Sequence, residues 1–197
     1  SQAIFATQLQ DAKHTTSIKE LLALCRSEDR FLSHAAISAL GKKVKSISST
    51  EANMLATNDQ IWLLLAIRRI DPANTKWVEY FLGKDDAEIR FETLRWISES
   101  RLKEFSGVVE TLASNPKLDY RTFEAALATI NTLAGKPEAG VADPAMLIAR
   151  IRDTKAPSQM RAYALRLLNP QTKEFQPPLW QSLIATGDRE ILRELTR

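Results

Sequence analysis

The segment Asp86-Ala-Glu-Ile-Arg-Phe-Glu-Thr-Leu-Arg-Trp-Ile97 decides the fold class of this chain. Its apolar residues Ile89, Leu94 and Ile97 fall on one side of a helix, with Phe91 and Trp96 flanking them. The more polar side, which is expected to face solvent, carries Arg90, Glu92 and Arg95. This distribution predicts an amphipathic helix that buries one face.

The same pattern returns along the chain. Residues 157–168 match it position by position, and residues 29–40, 59–70 and 119–130 keep its later apolar positions. The equivalent apolar residues are 27 to 38 residues apart, which is typical of helix-pair repeats. They are Leu40, Ile70, Ile97, Ile130 and Leu168. Because one helix pair cannot bury its apolar face alone, we expect stacked pairs with a continuous core.

The rest of the chain supports an all-α fold. Polar–apolar alternation and hairpin dipeptides are nearly absent from the sequence, so no strands are predicted. We predict about six helix pairs, stacked as an α-α superhelix in a single domain over residues 1–197, a segment of a larger protein. The predicted helices are 17–26, 29–41, 50–56, 58–70, 74–83, 86–98, 103–114, 119–134, 144–152, 157–168, 177–186 and 188–197.

Glycine and proline mark the expected helix ends. Each of four glycines follows an apolar helical stretch, where a left-handed residue is favoured. They are Gly41, Gly83, Gly135 and Gly187. The pair Asp143-Pro144 predicts a helix start, because Asp caps the first turn and Pro suits its first position.

Composition and charge restrict the classes of function. The chain has 27 basic and 24 acidic residues, a net charge of +3, which is a weak bias for a nucleic-acid-binding protein. Nine basic and five acidic residues lie in 150–197, so this end is the more basic one. The single cysteine cannot form an internal disulfide. The longest apolar run is too short to cross a membrane, so no membrane insertion is expected.

The recurring segment is the second helix of each predicted pair, and its pattern resembles HEAT repeats. In that family an Asp opens the helix, an Arg follows, and the two form a ladder along the stack. Arg90 and Arg161 keep this Arg, whereas Ser33, Leu63 and Phe123 replace it. The resemblance implies an α-solenoid with an incomplete ladder.

Residues 90–105, 121–127 and 160–170 carry a narrower resemblance. They look like the HEAT-like middle region of large bacterial extracytoplasmic dehydrogenase-like proteins. Those proteins carry a propeller-like sugar-dehydrogenase domain and a c-type haem domain. The resemblance implies an extracytoplasmic spacer between the domains of a redox protein. No haem attachment motif Cys-x-x-Cys-His occurs in this sequence, so no haem or catalytic residue carries over.

No catalytic, cofactor or metal site is predicted. His14 and His34 lack the converging ligands that a metal requires, and His34 is expected to be a satisfied helical residue. Cys25 is expected to pack as a small apolar side chain. Asp29 and Asp86 are expected to cap helix N-termini.

We predict a non-catalytic scaffold or protein-interaction module that acts as a monomer and binds flanking domains or another chain. Trp62 and Trp96 are expected to pack between repeats. The candidate interaction residues are Trp180, Arg150, Arg152, Lys42 and Lys43.

Two alternatives stay open. The first is a HEAT-like protein that binds nucleic acid through a basic face formed by Lys42-Lys43-Lys45, Arg68-Arg69 and Arg150-Arg152. The second is an enzyme with a diffuse site built from several repeats, for which the sequence offers no residue set.

Overall fold

The computed structural model describes Leu9, residues 16–141 and residues 143–197. These residues form twelve α-helices, three short 3-10 helices and no strand, which confirms the predicted all-α class. They belong to two compact units, Ser1–Trp96 and Ile97–Arg197. The single repeat domain expected over 1–197 stays a prediction.

The helices follow one another with short connections. The first five are α1 Ile18–Cys25, α2 Arg30–Lys43, α3 Ser49–Asn53, α4 Thr57–Ile70 and α5 Thr75–Leu82. Helix α6, Ala87–Glu99, contains the division between the two units. The remaining helices are α7 Ser106–Leu112, α8 Tyr120–Leu133, α9 Pro144–Arg152, α10 Ser158–Leu167, α11 Pro177–Ala185 and α12 Arg189–Leu195. The 3-10 helices are Val44–Ser46, Lys103–Phe105 and Pro137–Ala139. Each predicted helix is present with ends shifted by a few residues.

Aspartates begin several of these helices, as expected. Asp29 accepts hydrogen bonds from the backbone of Phe31 and Leu32, and Asp86 accepts one from Ile89 at 2.9 Å. Asp143 caps α9 immediately before Pro144. These carboxylates satisfy N–H groups that lack a partner inside the helix.

The glycine prediction is right at two positions and wrong at two. Gly135 and Gly187 follow α8 and α11 with φ of 82° and 65°. Gly83 ends α5 with φ of −75°, so it is not left-handed. Gly41 lies inside α2, which continues to Lys43. It is needed there for close packing, because an added Cβ would lie 2.8 Å from the carbonyl oxygen of Ala66 on α4.

In the first unit, α2 packs on both α1 and α4. In the second unit, α10 packs on α9, on α8 and on α12, while α7 packs on α8 and α11 on α12. The two members of a predicted pair are therefore in contact in α1–α2, α7–α8, α9–α10 and α11–α12, and the second helices of different pairs are in contact in α2–α4, α8–α10 and α10–α12. The buried side chains at these contacts include Leu21, Leu40, Leu63, Ile67, Phe123, Leu127, Ile151 and Ile191.

Ser33 on α2 and Arg161 on α10 occupy equivalent repeat positions, and each donates a hydrogen bond to the end of the preceding helix. The hydroxyl of Ser33 on α2 donates to the carbonyl oxygen of Cys25, the last residue of α1, at 2.7 Å. The Nε of Arg161 on α10 donates to the carbonyl oxygen of Ile151, near the end of α9, at 2.9 Å. Each bond satisfies a carbonyl that the first helix leaves without an internal partner.

The predicted helix faces need three corrections. Ile70 is 48% exposed, because the buried face of α4 is formed by Leu63, Leu64, Ala66 and Ile67. Ile130 is only half-buried. Glu92 was expected on the solvent-facing side of α6 but is buried. Its carboxylate lies 3.0 Å from Arg95 and 3.6 Å from Arg68, whose charges make the burial tolerable.

Candidate protein-interaction site

An open cleft of about 510 Å³ lies in the first unit. Helix α1 supplies Ile18, Leu22 and Ala23, while Leu55 and Ala56 come from the connection between α3 and α4. Leu22 is buried and Ala23 is exposed, so the apolar wall runs from the core to the surface. This wall is present because α1 packs on α2 and α4 with its apolar stripe.

Met54 stands at the edge of this cleft with 83% of its surface exposed. It follows α3, a five-residue helix that begins with Ser48 and Glu51 bonding to each other's backbone N–H groups. A flexible thioether exposed beside an apolar cleft is suited to adaptable apolar contacts.

Arg26 and Asp59 close one side of the cleft with a direct ion pair. The pair joins the end of α1 to the first turn of α4. Their charges offset each other, so this side adds little net charge.

A second cleft of about 290 Å³ adjoins the first at Ile47, which lines both. Its apolar lining consists of Val44, Ile47, the buried Trp77 and the half-buried Tyr80. Tyr80 donates to Asn53 Oδ1 at 2.9 Å, and the ammonium of Lys84 lies 4.1 Å from the centre of the Tyr80 ring. These contacts hold the ring in place.

Exposed lysines surround both clefts. Lys19 lines the larger one, and Lys45 and Lys76 line the smaller one. Within the described part of the chain, these three side chains form no hydrogen bond or ion pair. Their positive charges therefore face solvent at the clefts.

The candidate interaction residues selected from sequence belong to both units. Lys42 and Lys43 lie in the last turn of α2, in the first unit. Trp180 on α11 is half-buried, and Arg152 at the end of α9 is exposed, both in the second unit. Arg150 is held by Glu110 at 2.5 Å.

All three predicted basic clusters do end helices, where cations suit the helix dipole. Two of their members contact carboxylates: Arg68 lies beside Glu92, and Arg150 pairs with Glu110. Arg69 contacts the ring of His34. The two carboxylates reduce the positive charge that these clusters offer to a nucleic acid.

Trp96 is fully buried, as expected, and its Nε1 donates to the carbonyl oxygen of Pro72 at 2.8 Å. Trp62 is half-buried. Trp77, for which no role was predicted, lines the smaller cleft.

The expected burial of Cys25 is confirmed, with 1% of its surface exposed. Burial, and secondarily the charge of Asp59, raise the pKa of the thiol to about 12. The thiol is therefore neutral at physiological pH.

His34 is exposed on α2 with its Nε2 against Arg69, while His14 lies outside the described residues. Over the described residues, no three His, Cys, Asp or Glu side chains are grouped as metal ligands would be. No helix in the same part of the chain is long and apolar enough to cross a membrane.

Comparisons with known protein families, with curated proteins and with solved structures found no match to this chain.

Sequence reasoning did not find the clefts. Lys45 was noted only as part of a basic cluster, and Met54 and Lys76 received no role. The available signal was local: Met54-Leu55-Ala56 is an apolar run next to a break between helices. Its exposure depends on how α1 packs beside α3, which periodicity does not specify.

Proposed function

We propose that this chain is a non-catalytic protein-interaction module built from HEAT-like helix pairs stacked as an α-solenoid. The observation that carries the proposal is the apolar cleft of about 510 Å³ with Met54 exposed at its edge. An apolar cleft with polar groups at its rim can receive the apolar anchor side chains of a bound protein segment.

The packing within each unit supports the repeat architecture. The two helices of four predicted pairs contact each other, and second helices of different pairs contact each other in both units, as in stacked pairs. Ser33 and Arg161, at equivalent repeat positions, both donate to the end of the preceding helix. Such recurrence is expected when one structural unit is repeated.

The non-catalytic part of the proposal is supported by the state of the most nucleophilic side chain. Cys25 is buried with a raised pKa, opposite to the accessible thiolate that covalent catalysis uses.

The resemblance to the middle region of extracytoplasmic dehydrogenase-like proteins extends the proposal. In that setting the chain is a spacer that holds neighbouring redox domains. Sequencing the gene on both sides tests this extension. A signal peptide upstream and a Cys-x-x-Cys-His motif downstream are expected. A start codon directly before Ser1 and a stop codon directly after Arg197 would contradict it.

Site-specific photo-crosslinking in the producing cells tests the interaction role. A benzophenone amino acid replaces Met54 in one variant and Phe31 in a control, since both are more than 80% exposed and only Met54 lines the cleft. We expect a discrete protein adduct at position 54 that is absent at position 31. No adduct at 54, or the same adducts at both positions, would contradict the proposal.

A further inference from the structure

The two adjoining clefts carry an excess of positive charge. Four cations line them, Lys19, Arg26, Lys45 and Lys76, against the two acids Glu51 and Asp59. Ile47 lines both clefts, so the two clefts are neighbours in the first unit.

Both acids are already engaged inside the protein. Glu51 Oε2 accepts from the Ser48 backbone N–H at 2.7 Å and from its hydroxyl at 2.8 Å. Asp59 is paired with Arg26. The hydrogen bonds from Ser48 leave the negative charge of Glu51 in place, and it offsets Lys19 in the larger cleft. The excess positive charge is therefore that of Lys45 and Lys76 in the smaller cleft.

We infer that the partner segment is acidic and amphipathic: its apolar side chains enter the larger cleft, and its carboxylates lie against Lys45 and Lys76. This inference rests on the proposed function and specifies the chemistry of the partner. Complementary charge sets orientation and speeds association, while burial of apolar surface in the cleft supplies most of the affinity.

The charge pattern also disfavours a basic partner. A basic segment in the same clefts would place its cations beside Lys45 and Lys76, in the smaller cleft, whose described lining contains no acidic residue. Like-charge contacts of this kind reject incorrect partners.

Fluorescence polarisation with designed peptides tests the inference on the full chain. One helical peptide of about 16 residues carries leucines at i, i+3, i+4 and i+7 with glutamates on the flanks. A second has lysine in place of every glutamate, and a third keeps the glutamates but has serine in place of every leucine. A short DNA duplex is titrated in parallel.

Protein variants locate the site. Lys45→Glu with Lys76→Glu should weaken binding of the acidic amphipathic peptide about tenfold at low salt, because attraction becomes repulsion. The control Lys117→Glu with Lys155→Glu makes the same change in net charge at exposed lysines of the second unit. Met54→Asp should weaken binding, whereas Phe31→Asp should not, since both side chains are exposed and neither supports the core.

The expected result is binding of the acidic amphipathic peptide alone, weakened by added salt and by the cleft variants only. Equal binding of the lysine peptide, tighter binding of the duplex, or equal effects of both double variants would overturn the inference. If one of these contrary results is obtained but position 54 still gives a discrete crosslink, the proposal of a protein-interaction module stands and only the inference of an acidic partner is wrong. Failure of both experiments removes both proposals.

Discussion

Gly41 of α2 lies directly against Ile70 of α4, so that a Cβ on Gly41 would be 2.3 Å from Ile70 Cγ1. The same Cβ would lie 2.8 Å from the backbone oxygen of Ala66, which cannot rotate away. The close approach of these two second helices therefore depends on the absence of a side chain at position 41.

Gly41→Ala should lower the free energy of unfolding. Alanine gains about 1 kcal/mol of helix propensity over glycine, but overpacking against fixed backbone costs about 1–3 kcal/mol. We expect a net loss of roughly 1 kcal/mol in urea unfolding.

Gly107→Ala is the matched control, because position 107 also lies in a helix and an added Cβ meets nothing within 4 Å. This variant should be neutral or slightly stabilised. Equal stability of the two variants would show that α2 and α4 are farther apart than described.

The hydrogen bond from Ser33 on α2 to the last residue of α1 gives another prediction. Ser33→Ala removes the bond to the Cys25 carbonyl and should cost about 1 kcal/mol in the free energy of unfolding. Ser38→Ala is the control, because the Ser38 hydroxyl donates to His34 within its own helix. A loss at position 38 as large as that at position 33 would contradict the interhelical role.

The sequence was sufficient for the elements and for much of the core. Leu94 and Ile97 are buried as their spacing indicated, because the spacing of apolar residues within a single helix identifies its buried face. Asp143-Pro144 begins α9 because capping is a local interaction.

Contacts between helices were less accessible to sequence reasoning. Gly41 was predicted to follow a helix end, but it lies inside α2 and allows α2 to approach α4 closely. Glu92 looks like a solvent-facing acid, yet Arg68 from another helix allows its burial. The clefts likewise depend on the spacing between α1 and α3, so Met54 and Lys76 could not be selected from composition or periodicity.

Asp119, the N-cap of α8, should make stability depend on pH. Burial alone would raise its pKa, but hydrogen bonds from the Thr122 hydroxyl at 2.6 Å and from backbone N–H groups outweigh burial and hold the pKa below 3.8. The folded state therefore binds this proton more weakly than the unfolded state. The resulting stabilisation is present above the ordinary pKa and is lost as the pH falls through the folded-state pKa.

Asp119→Asn keeps a capping oxygen but does not titrate. The advantage of the wild type over this variant in urea unfolding should shrink as the pH is lowered from about 5 through the ordinary Asp pKa of about 3.9 and below. An advantage that is constant over that range would contradict the lowered pKa. Asp119→Ala serves as a control and should lose about 1 kcal/mol of capping.

Cys25 is the only cysteine in the sequence, so thiol labelling reports on one site. Its burial and its pKa of about 12 predict that the native protein resists an aromatic disulfide reagent at neutral pH. Labelling in denaturant should reach one thiol per chain. Stoichiometric labelling of the native protein at the rate of a free thiol would contradict the packing of α1.

The most direct test of the central claim uses the three methionines of the chain, Met54, Met146 and Met160, as methyl NMR probes. Met54 lines the cleft, whereas Met160 is 3% exposed in the core of the second unit. Methyl-labelled protein is titrated with the acidic amphipathic peptide, and Met54→Leu assigns the signal. The account predicts that the Met54 methyl shifts with saturation while the Met160 methyl does not move. A Met54 signal that stays fixed while the peptide binds would show that this cleft is not the binding site.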